Sequence, residues 1–500
     1  MTTAATGLDG SIAVDRPAWA KQGLNERDGR YPLGVEAPVL GMVATLMPGV
    51  STLTEYARYY SLYWALADYA ERRDLDGVAC QQTLRRAEVL LALVTRLTHD
   101  LGVHGAGAVQ RGKNGRTAWE LAETGTTSYS PRVWGFWSQY GGPSDVLGTA
   151  MMTDGAIRPG RHACPPEVRD LFAPLFAAAS RSDPPSTDAL TGLEPLSLGA
   201  SMGPDLLALR DLFTATRGGR HVADDWDGTD RTRRASLRIL LRAGQLAPEM
   251  TWSEALVHGV AFGPASAEDV VLGQEDRALA WRGVLLRHYS VGAWRRLWAG
   301  LVDFVCDHGV TTRADLHDWM SAQLPDLRVR DWTAQLPAVT DADGHPAPAE
   351  EQLIGQGEGV HRDLALLAIG ARRRESLDGL ALQGFRGGRS AHNSFLGPEW
   401  VGRRLSDNRA RSVRGLGRDL VDDMLAQSRR VALRKVSFVD GRMQVFSRLH
   451  ERNDTFTARS REGSGNVGLR VEQLAGLVTQ LGLANEMATP AGCALLGLPA

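Results

Sequence analysis

Gly199-Ala200-Ser201-Met202-Gly203 has the G-x-S-x-G spacing of a nucleophile elbow. Small residues around a serine permit a sharp strand-to-helix turn, which would expose the Ser201 hydroxyl for attack on an acyl carbon. Val103-His104-Gly105-Ala106-Gly107 could form an oxyanion loop, and Asp303 and His308 could complete a triad. The surrounding sequence argues against this. Pro195-Leu196-Ser197-Leu198 is a weak strand, and the other strands of a hydrolase sheet are not visible. A serine hydrolase using Ser201 therefore stands as an alternative, behind a reading based on charge.

Residues 361–470 carry 22 basic and 12 acidic side chains, a net of +10. The rest of the chain carries 34 basic and 46 acidic, a net of −12, and the two sum to −2. Clustered arginine gains affinity for a polyanion by displacing phosphate counterions, and its planar fork grips phosphate bidentately. Arg429, Arg430, Arg434 and Lys435 are expected to contact DNA phosphate, with Arg403, Arg404 and Arg411 extending the track. Arg372-Arg373-Arg374, Arg409, Arg414 and Arg418 belong to the same basic region. Only Lys21, Lys113 and Lys435 are lysines among the 56 basic residues, which disfavours nuclease cores built on carboxylates plus lysine.

Other motifs fall short. Gly107 to Asn114 resembles a phosphate-cradling loop, but Asn114 stands where a hydroxyl must hold magnesium. Asp224 to Asp230 resembles a calcium loop without the glutamate at its twelfth position. The pairs His99-Asp100, Asp307-His308 and His317-Asp318 lack the further histidine a metal-dependent phosphohydrolase needs. No catalytic residue, metal or cofactor is assigned. Four scattered cysteines, no signal-peptide pattern and no apolar run near the ~18 residues of a membrane span lead us to expect a reduced, cytoplasmic protein away from membranes.

The elements that must position these residues are mostly helices. A capping box at Thr52 and Glu55 is expected to open a helix carrying Tyr56, Tyr59, Tyr60, Tyr63 and Trp64, a face that reads more simply as core than as a ligand platform. Asp276 to Val305 keeps an apolar stripe that Gly283 and Gly292 could divide into two helices. Helices are expected at His361–Leu382 and at Trp400–Lys435, the second interrupted near Gly415 and Gly417. Val436–Val439 and Arg442–Phe446 flank Asp440-Gly441, a strong hairpin signal. Two stretches, Cys164 to Ser186 and Pro325 to Glu351, read as boundaries. They divide the chain into an N-terminal helical domain with a Gly/Trp-rich loop (1–163), a central helical domain (186–324) and a basic C-terminal domain (352–500). The expected fold is mainly α, a multi-domain helical body with a small α+β winged-helix-like module at the C-terminal end.

The order of hairpin, helix Leu469 to Leu481 with Gly482-Leu483, and a short helix after Thr489-Pro490 resembles winged-helix modules. Together with the Tyr56–Tyr69 helix, this layout resembles uncharacterised large helical proteins of bacterial antiviral-defence gene clusters. That resemblance implies a role beside a helicase, nuclease or modification enzyme, and it supplies no catalytic residues. The leading expectation is a non-catalytic, DNA-associated accessory or sensor protein with a partner from the same operon. A scaffold that binds a partner protein through the basic face is a further alternative.

Overall fold

The computed structural model describes residues 24–98, 117–125, 128–388, 395–439 and 442–499. About 60% is helical, in 21 α-helices among the described residues, against eight short strands in three small sheets. The fold is mainly α. No described helix is long and apolar enough to cross a membrane.

The molecule is built around one helix, Asp276–His308, of 33 residues and about 50 Å at 1.5 Å per residue. The expected division at Gly283 and Gly292 does not occur. Gly283 is kept for close approach: a Cβ there would strike the Ala381 carbonyl and the Phe385 amide of the helix Gly379–Arg386. Gly384 answers it, because a Cβ there would strike the Ala280 carbonyl. Gly292 makes room for Asn466, whose Nδ2 donates to the His288 carbonyl at 2.9 Å.

Buried apolar residues from Leu33 to Leu496 form one connected cluster, shared by all three segments expected as domains. The aromatic helix lies inside it. Tyr59, Tyr60 and Tyr63 are fully buried and pack against Phe136, Trp137 and Tyr140. This helix runs Ala57–Arg72, and the expected capping box does not start it. Thr54 bonds Ser51 instead, and the first helical N–H groups are taken from afar: Tyr56 N–H donates to Tyr140 Oη at 3.0 Å and Ala57 N–H to Gln480 Oε1 at 2.8 Å. The acidic run at 224–230 is a cap: Asp227 accepts from the N–H groups of Thr229 and Asp230 and opens the helix Gly228–Leu246.

At the C-terminal end, strands Ser437–Val439 and Arg442–Phe446 pair antiparallel as expected, the Asp440-Gly441 turn lying outside the described residues. Leu24–Arg27 adds to this sheet in parallel. A second hairpin, Leu449–Arg452 with Thr455–Ala458, turns through Asn453 and Asp454 at φ 52° and 58°. It also pairs with Val310–Thr312 at the end of the central helix. The helix Val471–Gln480 packs on Gly228–Leu246 and Trp252–Leu256. The closing elements thus pack on distant parts of the chain as well as on each other.

Candidate nucleic-acid interface

Two helices carry the basic region. Pro398–Asp407 starts on a proline, which fits the first turn because its missing N–H has no partner there. Val413–Arg434 is capped by Ser412, whose hydroxyl accepts from Gly415 N–H at 3.1 Å. The break between them falls at 408–412, ahead of the glycines expected to cause it.

The structure separates the seven expected contact residues into two sets. Arg404 donates from Nη2 to both oxygens of Asp423, at 2.8 Å each. Burial raises the Asp423 carboxyl above its ordinary value, and Arg404 acts against that shift. Arg411 donates to Asp419 at 2.6 Å and to Asn408 at 2.8 Å. Lys435 donates to the carbonyls of Arg30 and Tyr31, and burial lowers its pKa. These three cations are engaged internally.

The other four face outward. Arg403 and Arg434 are exposed and make no hydrogen bond or ion pair among the described residues. The Arg429 side chain is 74% exposed, with its nearest carboxylate, Glu451, at 4.0 Å. Arg430 is exposed and lies over the Phe395 ring at 5.0 Å. Phe395 in turn meets Trp400 at 5.1 Å between centroids, and Arg404 lies over Trp400 at 5.1 Å. The result is a ladder of Arg430, Phe395, Trp400 and Arg404, half-buried at its aromatic steps. Guanidinium on an aromatic face is attractive; Arg404 is fixed there by Asp423, whereas the exposed Arg430, steadied by Gln427 at 3.3 Å, keeps N–H groups for phosphate. The sequence reading missed the aromatic rungs, although Trp400 stands four residues before Arg404, one helical turn away.

Much of the remaining arginine excess is internal. Arg372 donates to the carbonyls of Thr333, Leu336 and Pro337. Arg373 is buried against Glu350, and Arg374 pairs with Glu399. Arg372 and Arg373 thereby fasten the stretch expected as a linker to the helix Val360–Ser376. Arg414 and Arg418 pair with Asp326 and Asp318.

Behind Arg429 lies a cleft of about 350 Å³, walled by Trp298, Leu433 and Phe456 with Ser428, His450 and Asn453 at its polar end. Phe456 and Trp298 are themselves almost wholly buried.

Ser201 does not sit in an elbow. A 3₁₀ turn, Glu194–Leu196, stands where a strand should enter, and residues 197–203 form an irregular loop. That loop is fixed by Arg58, which donates to the carbonyls of Ser197 and Ser201 and pairs with Asp205 at 3.0 Å, inside the protein. Asp303 pairs with Arg461, and His308 Nδ1 bonds the Phe304 carbonyl, so neither faces a serine nucleophile through these contacts. The oxyanion-loop candidate, the phosphate-loop-like stretch at 107–114 and His99-Asp100 lie outside the described residues. Asp341, Asp343 and His345 converge in an exposed turn, explained by Asp341 Oδ1 accepting the N–H groups of Asp343 and His345.

Comparison with protein-family models, with curated proteins and with solved structures finds no match for this chain.

Proposed function

We propose that the protein is a non-catalytic, DNA-associated accessory or sensor protein of the cytoplasm, acting with a partner protein in a bacterial antiviral-defence setting. The observation that carries this reading is the ladder of Arg430, Phe395, Trp400 and Arg404, flanked by the outward-facing Arg403, Arg429 and Arg434. The rings hold guanidinium planes in place at the surface, and fixed, outward cations suit the phosphate backbone of a duplex. The hairpin 437–446 would be the wing-like element of this contact, with no separate winged-helix unit required. Arg404, Arg411 and Lys435 then serve the shape of the surface. The surroundings of Ser201 lend the hydrolase alternative no support.

The test is a salt titration of duplex-DNA binding. Each phosphate contact adds about 0.9 to the slope of log affinity against log salt. Arg403→Ala, Arg429→Ala, Arg430→Ala and Arg434→Ala should each flatten that slope by roughly one contact. Affinity that ignores salt, or that survives the quadruple substitution, removes the reading.

A further inference from the structure

A second surface of this protein has the opposite character. An open groove of about 850 Å³ runs between the turn at 249–265 and residues 348–351. Its floor is apolar: Met250, Val257, Phe262 and Pro264 line it. Its charged rim is acidic, from Glu249, Glu254 and Glu351, and no lysine or arginine lines it among the described residues.

The walls are tied to one another and to the central helix. Buried Arg282 donates to the carbonyls of Val260 and Gly263 and to the Ser266 hydroxyl. Gly263 N–H donates to the Pro346 carbonyl at 2.9 Å. Phe262 rests on Tyr289 of the central helix, and Tyr289 Oη donates to Glu351. Glu254 is held by the N–H and hydroxyl of Thr251, which lower its pKa and keep it ionised. The segment Val257–Ala261 is a π-helical turn, which aims its side chains differently from an α-helix.

The same chain carries the complement. Leu433 is 64% exposed and Phe438 is 72% exposed, two large apolar side chains left in water. Arg429 and Arg434 stand beside them on the last turns of the helix Val413–Arg434. An exposed apolar pair flanked by two arginines answers an apolar groove edged by three glutamates.

The projection and the groove point away from each other. Tyr289 underlies the groove, and Trp298 lines the cleft beneath Arg429 and Leu433. Nine residues at about 100° per residue place these two side chains on opposite sides of the central helix. A chain therefore cannot fill its own groove.

We propose that the groove at Glu249, Phe262 and Glu351 receives the Leu433–Phe438 projection of a second copy, giving head-to-tail self-association. Such an interface is heterologous, so it propagates into a ring or an open filament. The proposal does not rest on the DNA reading. Nucleic acid that engages Arg429 and Arg434 would compete with the contact.

The test is sedimentation of the nucleic-acid-free, full-length protein across concentration. Two variants change only exposed positions: Glu249→Arg with Met250→Arg in the groove, and Leu433→Asp with Phe438→Asp on the projection. Wild type should grow in mass with concentration, beyond a dimer. Each variant alone should stay monomeric. Their equimolar mixture should stop at a dimer, because one intact groove meets one intact projection. A wild type that is monomeric at every concentration, a variant that assembles alone, or a mixture that stays monomeric or passes beyond a dimer overturns the proposal. None of these outcomes bears on the salt slope of DNA binding, so the two ideas fail separately.

Discussion

Arg373 and Glu350 form a bidentate ion pair inside the protein, with Nε to Oε1 at 2.9 Å, Nη2 to Oε2 at 2.6 Å, and both side chains at most 1% exposed. The Arg373 fork also serves the carbonyls of Val339 and Ala347. Breaking such a pair from one side strands a buried charge, which costs about 3–5 kcal/mol. Glu350→Ala should lose that much in a urea unfolding series. Arg373→Met with Glu350→Leu should recover part of it, less the two carbonyls that lose a donor. Equal loss in the single and double variants would show that the charge pairing is not the source.

Arg287 has no such partner. It is 4% exposed, its Nε and Nη1 find no hydrogen-bond acceptor among the described residues, and burial alone pulls its pKa down to about 9. Among the described residues its guanidinium lies over the Phe385 ring at 5.8 Å. Methionine fills a similar volume without charge. Arg287→Met should raise stability by about 1–3 kcal/mol, measured by chemical unfolding. A fall of that size would mean the guanidinium is neutralised by something bound.

Glu88 is a buried acid in the aromatic cluster. Tyr63 Oη donates to it at 2.6 Å, Tyr129 Oη donates to the other oxygen, and Phe136 N–H donates at 3.0 Å. Burial outweighs these donors and raises its pKa from 4.5 to about 7. The folded state therefore binds this proton more tightly than the unfolded chain. Its contribution is fully present below about pH 4.5 and is lost as pH rises through about 7, a swing on the order of 3 kcal/mol. Buried His288, whose pKa burial lowers, works in the opposite direction on acidification. The readout is thus a difference: wild type minus Glu88→Gln should fall from pH 5 to pH 8. A flat difference would refute the shift.

Gly283→Val should cost about 3 kcal/mol, because backbone atoms of the helix Gly379–Arg386 cannot yield. Gly292→Ala should cost much less. There the obstacles are the side chains of Asn466 and Arg296, which can move, and alanine gains about 1 kcal/mol of helix propensity. Thermal unfolding of the two variants gives the contrast, and equal losses would place the tight contact elsewhere.

The helical class, the long stripe from Asp276, the burial of the tyrosine helix and the hairpin at 437–446 were legible from residue order. Each depends on residues a few positions apart, because helix and tight-turn hydrogen bonds close locally. The sequence also showed a basic region. It could not show which arginines remain available, since that depends on partners distant in sequence: Arg418 finds Asp318, Arg404 finds Asp423, and Arg58 finds Asp205. A guanidinium next to a carboxylate along the chain is only a coincidence of spacing until packing brings the two within about 3 Å. The same holds for the glycines. Local propensity reads Gly283 as a weak point, and only the neighbouring helix reveals it as the position where two backbones meet. Only packing left Arg403, Arg429 and Arg434 outward around a ladder that Arg430 and Arg404 close at its two ends, and turned an acid-rimmed groove the other way.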